Sequence, residues 1–158
     1  YFIVRGDIKM KISIACDHGA FDLKMALIPY LEELGHEVSD FGAYSKESCH
    51  YPDYIYPACL ALKRGEVDRA IVLCTTGIGV SMVANKVKGV RASLVTNVAD
   101  AKTTREHNHA NCLAMGAKNV SEELAKEIVK VWLETESLGG RHQIRVDKIR
   151  EIEELENE

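Results

Sequence analysis

The chain has 158 residues, of which 46% are hydrophobic and 28% are charged, and its formal net charge at pH 7 is −4. These values are typical of one globular domain with a sizeable core, and the sequence contains no basic run of the kind that binds nucleic acid. No apolar run approaches the roughly 20 residues of a membrane-spanning helix. No secretory signal is visible, so we expect a cytoplasmic protein that binds neither nucleic acid nor membrane.

The cysteines and the first residues refine this expectation. Five cysteines are present, an odd number without a C-x-x-C motif, so we expect thiols rather than disulfides. Met10 stands where an initiator methionine would, and residues 1–9 are interpreted as an N-terminal extension or an expression remnant. Residues 10–158 contain no repeat and no low-complexity linker, which predicts a single domain.

Strand and helix patterns alternate along the chain. The predicted strands are residues 10–16, 36–41, 70–74, 90–96 and 111–115. The predicted helices are residues 20–34, 52–63, 80–88, 97–107, 121–134 and a last helix from about Arg145. This alternation predicts a Rossmann-like, three-layer α/β/α sandwich with a five-stranded parallel sheet. The last helix carries a narrow apolar stripe, Ile149, Ile152 and Leu155, that packs either on its own domain or on a partner subunit.

The most informative stretch is the run at residues 70–79. It begins as an unbroken apolar strand, which predicts burial on both faces of the sheet. It ends in Cys74, followed by a turn that contains Gly77 and Gly79 and leads into a helix. In open parallel sheets, ligands bind at the carboxyl ends of strands, and glycine-rich turns expose backbone N–H groups to anions. We therefore expect a thiol beside an anion-binding turn.

Two alternatives remain for this run. Gly77 and Gly79 resemble part of a dinucleotide-binding fingerprint, but Met82 stands where a third glycine belongs and no Walker loop is present. A general anion site is better supported. Cys74 is either an inert, buried thiol or a base or nucleophile, and its position at a strand end favours the second interpretation.

Three other groups are candidates for chemistry. Asp17 follows the first strand, where it either faces the ligand or only caps the next helix. His107 and His109 do not have common zinc spacing, so an acid–base or solvated histidine is favoured over a metal ligand. Arg141 and Arg145 lie four residues apart, so both could bind one phosphate, or they could form a solvated basic turn.

Together, several motifs resemble the type B ribose-5-phosphate isomerases and the related galactose-6-phosphate isomerase subunits. The resemblance runs from about Met10 to Glu154, and the set of motifs is more specific than any one of them. The motifs are Ala15-Cys16-Asp17-His18-Gly19, Tyr51-Pro52-Asp53-Tyr54, Cys74-Thr75-Thr76-Gly77-Ile78-Gly79, Ala84-Asn85-Lys86, Arg105-Glu106-His107-Asn108 and Gly139-Gly140-Arg141-His142-Gln143-x-Arg145.

The resemblance implies interconversion of an aldose phosphate and its ketose phosphate, most simply ribose 5-phosphate and ribulose 5-phosphate, without metal or cofactor. By analogy, Cys74 is the base that moves a proton between C2 and C1, and Thr76 assists proton transfer between the two oxygens. His107 helps to open the furanose ring, with Asp17 near the ring hydroxyls. The resemblance also implies a homodimer or a tetramer, with His107 and Asn108 supplied across the interface.

A second set of residues is implied in substrate binding. The implied enediolate ligands are Thr75, Gly77, Ile78, Gly79 and Asn108, the implied phosphate ligands are His18, Arg141, His142 and Arg145, and Tyr51 and Lys118 complete the substrate-binding set.

Two departures from the family pattern bear on the substrate. Thr75 stands where relatives usually have glycine, and Lys118 stands where relatives often carry an arginine that reaches the phosphate from the partner subunit. A lysine supplies charge but not a bidentate grip. These departures bear on substrate preference more than on reaction type, so a six-carbon substrate, such as allose or galactose 6-phosphate, is the alternative within the enzyme class. A non-catalytic sugar-phosphate or nucleotide-binding module is the alternative outside it.

Overall fold

A computed structural model describes residues 8–157 and contains one sheet of five parallel strands. The strands are β1 (Lys11–Cys16), β2 (Glu37–Asp40), β3 (Arg69–Cys74), β4 (Ala92–Leu94) and β5 (Cys112–Gly116). The helices are α1 (Phe21–Glu33), α2 (Pro52–Lys63), α3 (Ile78–Ala84), α4 (Val98–Asn108), α5 (Glu122–Glu134) and α6 (Arg141–Glu156). Most of the predicted extension lies outside the described residues.

The strand order β2-β1-β3-β5-β4 creates a switch point between β1 and β3. From β1 the chain moves outward to β2, and it then returns to place β3 on the other side of β1. The two strands are in register, with Cys16 opposite Leu73, and the Asp17 N–H donates to the Leu73 carbonyl at 3.1 Å. In open α/β sheets such a reversal leaves a crevice at the carboxyl ends, and that crevice is the usual ligand site.

Helices cover both faces of the sheet. On one face α1 and α5 bury Leu27, Ile128 and Trp132 against Ile71, and on the other α2 and α3 pack on the alternate residues of β3, such as Val72. Both faces of β3 are therefore dry, which is why its sequence is an unbroken apolar run. The predicted three-layer sandwich is confirmed. Among the described residues, no helix is both long and apolar enough to cross a membrane.

The last helix differs from its prediction. It begins at Arg141 rather than at Arg145, because Gly139 and Gly140 take positive φ values of 71° and 56° and complete the preceding loop early. Val146 is its buried contact residue. The predicted stripe does not pack on its own domain: the exposed fractions are 47% for Ile149, 60% for Ile152 and 68% for Leu155.

The segment between α3 and β4 also departs from the sequence pattern. The helix ends at Ala84 rather than at residue 88, and β4 occupies only residues 92–94 rather than 90–96. Asn85 explains both differences, because its side chain donates to the Ala92 carbonyl at 3.0 Å and accepts from the Ala92 N–H at 2.8 Å. These two hydrogen bonds join the end of the helix to the first residue of the edge strand.

Candidate active site

The turn after β3 encloses the sulfur of Cys74. Only 5% of this residue is exposed, and the Gly77 N–H donates to Sγ at 3.1 Å. Gly77 has a φ of 79°, and a Cβ at this position would lie 2.8 Å from the Met115 carbonyl carbon. Only glycine fits this conformation and this space, so the N–H contact to sulfur depends on it. The structure thus places a backbone donor on the thiol.

Hydrogen bonds within the turn, and from residues at the end of β5, fix the same turn. The Thr76 hydroxyl accepts from the Ile78 N–H at 3.3 Å, and the Lys118 N–H donates to the Thr75 carbonyl at 2.9 Å. A Cβ on Gly116 would overlap the Thr76 backbone. Gly116 was not among the predicted site residues, although its position at the end of a buried strand was a signal for close backbone approach.

The carboxyl end of β1 contributes a carboxylate. Asp17 is 8% exposed, and its Oδ1 accepts from the Ala20 N–H at 3.0 Å, so it does cap the following 3₁₀ turn. Within residues 8–157, Oδ2 makes no hydrogen bond. Capping and ligand binding are therefore compatible, because each uses a different oxygen.

Cys16 stands at the neighbouring strand end but is a poor candidate for a nucleophile. It is completely buried, and burial raises the pKa of its thiol to about 11, although the nearby Lys24 ammonium opposes the shift. At neutral pH the thiol is protonated and inert. Of the two cysteines at this switch point, Cys74 is the one that lies in the glycine-containing turn, with the Gly77 N–H at 3.1 Å from its sulfur.

The loop before α2 completes the carboxyl edge. The Cys49 N–H donates to His18 Nδ1 at 3.3 Å, and a neutral imidazole that accepts at Nδ1 carries its proton on Nε2. The Nε2–H is then left available to a ligand. Tyr51 lies on Gly79, where a Cβ would come within 2.6 Å of the phenol oxygen. Cys49 was missed in the sequence, because a backbone donor carries no side-chain signal.

Two histidines stack at the opposite edge of the sheet. His107 lies in the last turn of α4, and its ring is 4.2 Å from that of His142, with an interplanar angle of 6°. Arg141 and Arg145 lie one turn apart in α6 and share a face with each other. Desolvation lowers the pKa of His142, and His107 and the two arginines lower it further. The cluster is an exposed, cationic patch suited to a phosphate.

The predicted site residues therefore fall into two sets. α4 begins after β4, at the carboxyl edge, and runs back, so that the His109 carbonyl accepts from Arg91 just before β4 begins, at 3.1 and 3.0 Å. The carboxyl-edge set comprises Asp17, His18, Tyr51, Cys74, Thr75, Thr76, Gly77, Ile78, Gly79 and Lys118. The amino-edge set comprises His107, Asn108, Arg141, His142 and Arg145. One chain does not bring these two sets together.

A cleft lies beside the amino-edge set. Its volume is about 700 Å³, and it extends from Asn108 along the connection between α3 and β4 to the second half of α6. Its apolar lining includes Ile149 and Ile152, and its charged lining includes Lys88 and Glu153. No residue of the carboxyl-edge set lines this cleft.

Comparisons with known proteins identify relatives of this chain and of its fold. The family described as Ribose/Galactose Isomerase matches residues 12–149. The chain is 45% identical over 147 residues to ribose-5-phosphate isomerase B of Escherichia coli, covering 93% of this chain and 99% of that protein. The solved ribose-5-phosphate isomerase B of Clostridium thermocellum is 50% identical with a TM-score of 0.90, covering 92% of this chain and 98% of that one.

A further solved relative carries a sugar phosphate. Ribose-5-phosphate isomerase B of Mycoplasma genitalium, solved with bound ribulose-5-phosphate, is 37% identical with a TM-score of 0.87, covering 91% of this chain and 96% of that one. The identity, the coverage and the shared fold together establish the relationship over nearly the full domain. This chain belongs to the ribose/galactose isomerase family.

Proposed function

We propose that this protein is an aldose–ketose isomerase that interconverts ribose 5-phosphate and ribulose 5-phosphate. The relatives named above carry this activity in their names, and one of them was solved with ribulose-5-phosphate. The single observation that carries the proposal is the Cys74 sulfur at the β1–β3 switch point, with the Gly77 N–H at 3.1 Å. A cytoplasmic location is part of the same proposal.

Cys74 is the proposed base. Isomerisation removes a proton from the carbon next to a carbonyl, and the resulting enediolate carries negative charge on oxygen. The thiolate takes the proton at C2 and returns it at C1, while the Thr76 hydroxyl helps to transfer the hydroxyl proton between O1 and O2. The backbone N–H groups of the turn at residues 75–79 stabilise the developing charge, since fixed donors need no reorganisation as charge develops.

Ring opening and phosphate binding fall to the other side chains. The free Oδ2 of Asp17 accepts from a sugar hydroxyl, while the His18 Nε2–H donates to the phosphate. The Lys118 backbone lies beside the turn and its side chain is exposed, and we propose that its ammonium adds positive charge to the phosphate site of the partner copy, as the resemblance implies. His107 acts in ring opening, and the two arginines of α6 bind the phosphate bidentately. Tyr51 covers the turn at Gly79.

A second copy of the chain is needed, because His107 lies at the opposite edge from Cys74. We propose a two-fold dimer in which the amino edge of one copy meets the carboxyl edge of the other, either alone or within a tetramer. Exposed apolar side chains at both edges support this pairing. Next to the Cys74 turn, the exposed fractions are 49% for Ile78 and 64% for Met82. Beside Asn108, the cleft and the exposed stripe of α6 offer matching apolar surface.

Proton exchange tests the activity. The purified chain is incubated in heavy water with ribose 5-phosphate, and deuterium at C1 of ribulose 5-phosphate or C2 of ribose 5-phosphate is measured with EDTA present. We expect exchange in the wild type and a loss of about 100- to 10,000-fold in Cys74→Ala, the usual contribution of a general base. The matched control is Cys59→Ala, a buried thiol in α2 away from the crevice. Full exchange in Cys74→Ala would remove the thiol from the mechanism.

The substrate is the second question, because the family description includes galactose as well as ribose. The same assay with galactose 6-phosphate and allose 6-phosphate decides it through the ratio of kcat/KM values. We expect preference for the five-carbon sugar. Exchange with none of these sugars in the wild type would favour a non-catalytic binding module.

A further inference from the structure

Lys24 is a buried cation that the proposed chemistry does not use. It lies in α1 on the stripe that faces the core, and its side chain is completely inaccessible to solvent. Its ammonium donates to Asp40 Oδ1 at 2.7 Å and to the Ala43 carbonyl. It also lies 5.4 Å from the ring centroid of Phe21 and 5.3 Å from that of Tyr44. A buried charge is tolerated only when it is paired and hydrogen-bonded, and Lys24 satisfies both conditions.

All its loop partners belong to one stretch of chain. Asp40 ends β2, and its Oδ1 also accepts from the Gly42 N–H at 2.9 Å. The Gly42 carbonyl accepts from the Cys16 N–H at 2.7 Å, and the Ala43 N–H donates to the Cys16 carbonyl at 2.8 Å. The Lys24 ammonium therefore holds the beginning of the loop at residues 41–51 against the end of β1, one residue before Asp17.

The far end of the same loop carries two contacts of the candidate site. The Cys49 N–H holds His18 through Nδ1, and Tyr51 lies on Gly79 of the Cys74 turn. Between residues 44 and 50 the loop contains no helix or strand. Its position therefore depends on its anchors, and Lys24 supplies the ionic anchor at its first residues.

We infer that Lys24 is a positioning residue for substrate binding: through Asp40 and Ala43 it fixes the loop at residues 41–51, and the loop orients His18 and Tyr51. This inference rests on the proposed function for its effect on substrate. The Cys74 and Thr75 carbonyls accept hydrogen bonds from the Ala117 and Lys118 N–H groups just after β5, and the loop touches that turn only through Tyr51. We therefore expect loosening of the loop to weaken substrate binding more than the proton transfer.

The test compares Lys24→Met with Lys126→Met in the full chain. Lys126 is a matched control, since it also pairs with a carboxylate, Glu122 at 3.2 Å, and lies 5.7 Å from the ring centroid of Tyr30, but on α5. Two assays are run below the unfolding temperature of each variant. One measures kcat and KM for ribose 5-phosphate, and the other measures the alkylation rate of Cys49 by iodoacetamide, followed by peptide mass spectrometry.

For Lys24→Met we expect KM to rise about tenfold with kcat within about twofold, and Cys49 to be alkylated about tenfold faster. We expect Lys126→Met to leave kcat, KM and the alkylation rate unchanged. A lower unfolding temperature with wild-type KM and wild-type alkylation would overturn the inference and leave Lys24 a purely structural ion.

Two further arms keep the outcomes separate. If Lys24→Met does not fold, Asp40→Asn decides, because the amide oxygen still accepts from Lys24 while the ionic pair is lost. For Asp40→Asn we expect a smaller rise in KM and a smaller increase in the alkylation rate of Cys49. Wild-type values for both would overturn the inference. A wild type that turns over no sugar phosphate refutes the proposed function alone, since Cys49 alkylation reports on the loop without turnover.

Discussion

Mixing two inactive variants tests whether each active site takes residues from two copies of the chain. The first variant is Cys74→Ala, which removes the proposed base at the carboxyl edge. The second is His107→Ala, which removes the proposed ring-opening group at the amino edge. Each homodimer carries its defect in both sites, so we expect each variant alone to be strongly impaired, by about 100- to 10,000-fold for the base.

The proposed two-fold dimer determines how much activity returns on mixing. In a two-fold dimer with random pairing, about half of the dimers contain one chain of each kind. Since Cys74 and His107 lie at opposite edges of one chain, a mixed dimer has one site with both defects and one site with neither. About one quarter of all sites is therefore intact at equal amounts, and activity follows a parabola in the mole fraction of either variant.

The assay unfolds both variants in denaturant, mixes them at a series of ratios, refolds them and measures turnover of ribose 5-phosphate. Gel filtration confirms that refolded dimers are recovered. A matched control mixes Cys74→Ala with Asp17→Asn, both of which belong to the carboxyl edge. In that mixture every site of a mixed dimer has one defect, so we expect no parabola.

Two results would refute the reasoning. Activity that stays at the level of the single variants at every ratio of Cys74→Ala and His107→Ala would place both residues in one copy's site. Equal recovery in the control mixture would mean that Asp17 and Cys74 act in different sites, which the register of β1 and β3 does not allow.

Three further predictions concern stability and the turn. Burial, and then the charge of Arg69, lower the pKa of His36, so the unfolded chain binds more protons and the free energy of unfolding falls as pH drops below about 6.5. His36→Asn keeps an acceptor for the Met10 N–H and should flatten this pH dependence, measured by urea unfolding. The same pH dependence in the variant as in the wild type would contradict the prediction. Ser121→Ala removes the cap of α5 and should cost about 1 kcal/mol in the same assay, whereas no loss would show that the cap is dispensable. Gly77→Ala forces a positive φ on alanine and pushes Cβ into the backbone of β5, so we expect a loss of about 1 kcal/mol or more together with a large fall in kcat, and wild-type values for both would contradict the geometry.

The sequence was sufficient to predict five parallel strands and to place Cys74 and its glycines at the carboxyl end of β3. A strand buried on both faces must be apolar throughout, which is why residues 70–74 identified β3, and the cysteine and glycines behind it followed at the carboxyl end. Strand order was not readable, because parallel pairing depends on contacts far apart in the chain. Only the structure therefore placed Asp17 beside Leu73 and identified the β1–β3 crevice.

Other features depended on conformations that residue types alone do not specify. Two consecutive glycines with positive φ moved the start of α6 to Arg141, although a glycine pair predicts only a break. The role of Lys24 was also missed, even though a lysine three residues before Leu27 on the apolar stripe was a visible anomaly. Its partners come from a loop whose path the sequence does not describe, so the hydrogen bonds of Lys24 could not be predicted.

The division of the site between two edges follows from the connection rules of a parallel sheet. A helix that joins two parallel strands begins at the carboxyl edge and must return to the amino edge before the next strand can start. His107 lies in the last turn of such a helix, and Cys74 ends a strand. No rearrangement of side chains within one chain of this topology can bring that imidazole to that sulfur. If both groups act on one sugar, two copies of the chain must assemble to form the active site. The position of His107 in the last turn of α4 already implies this assembly.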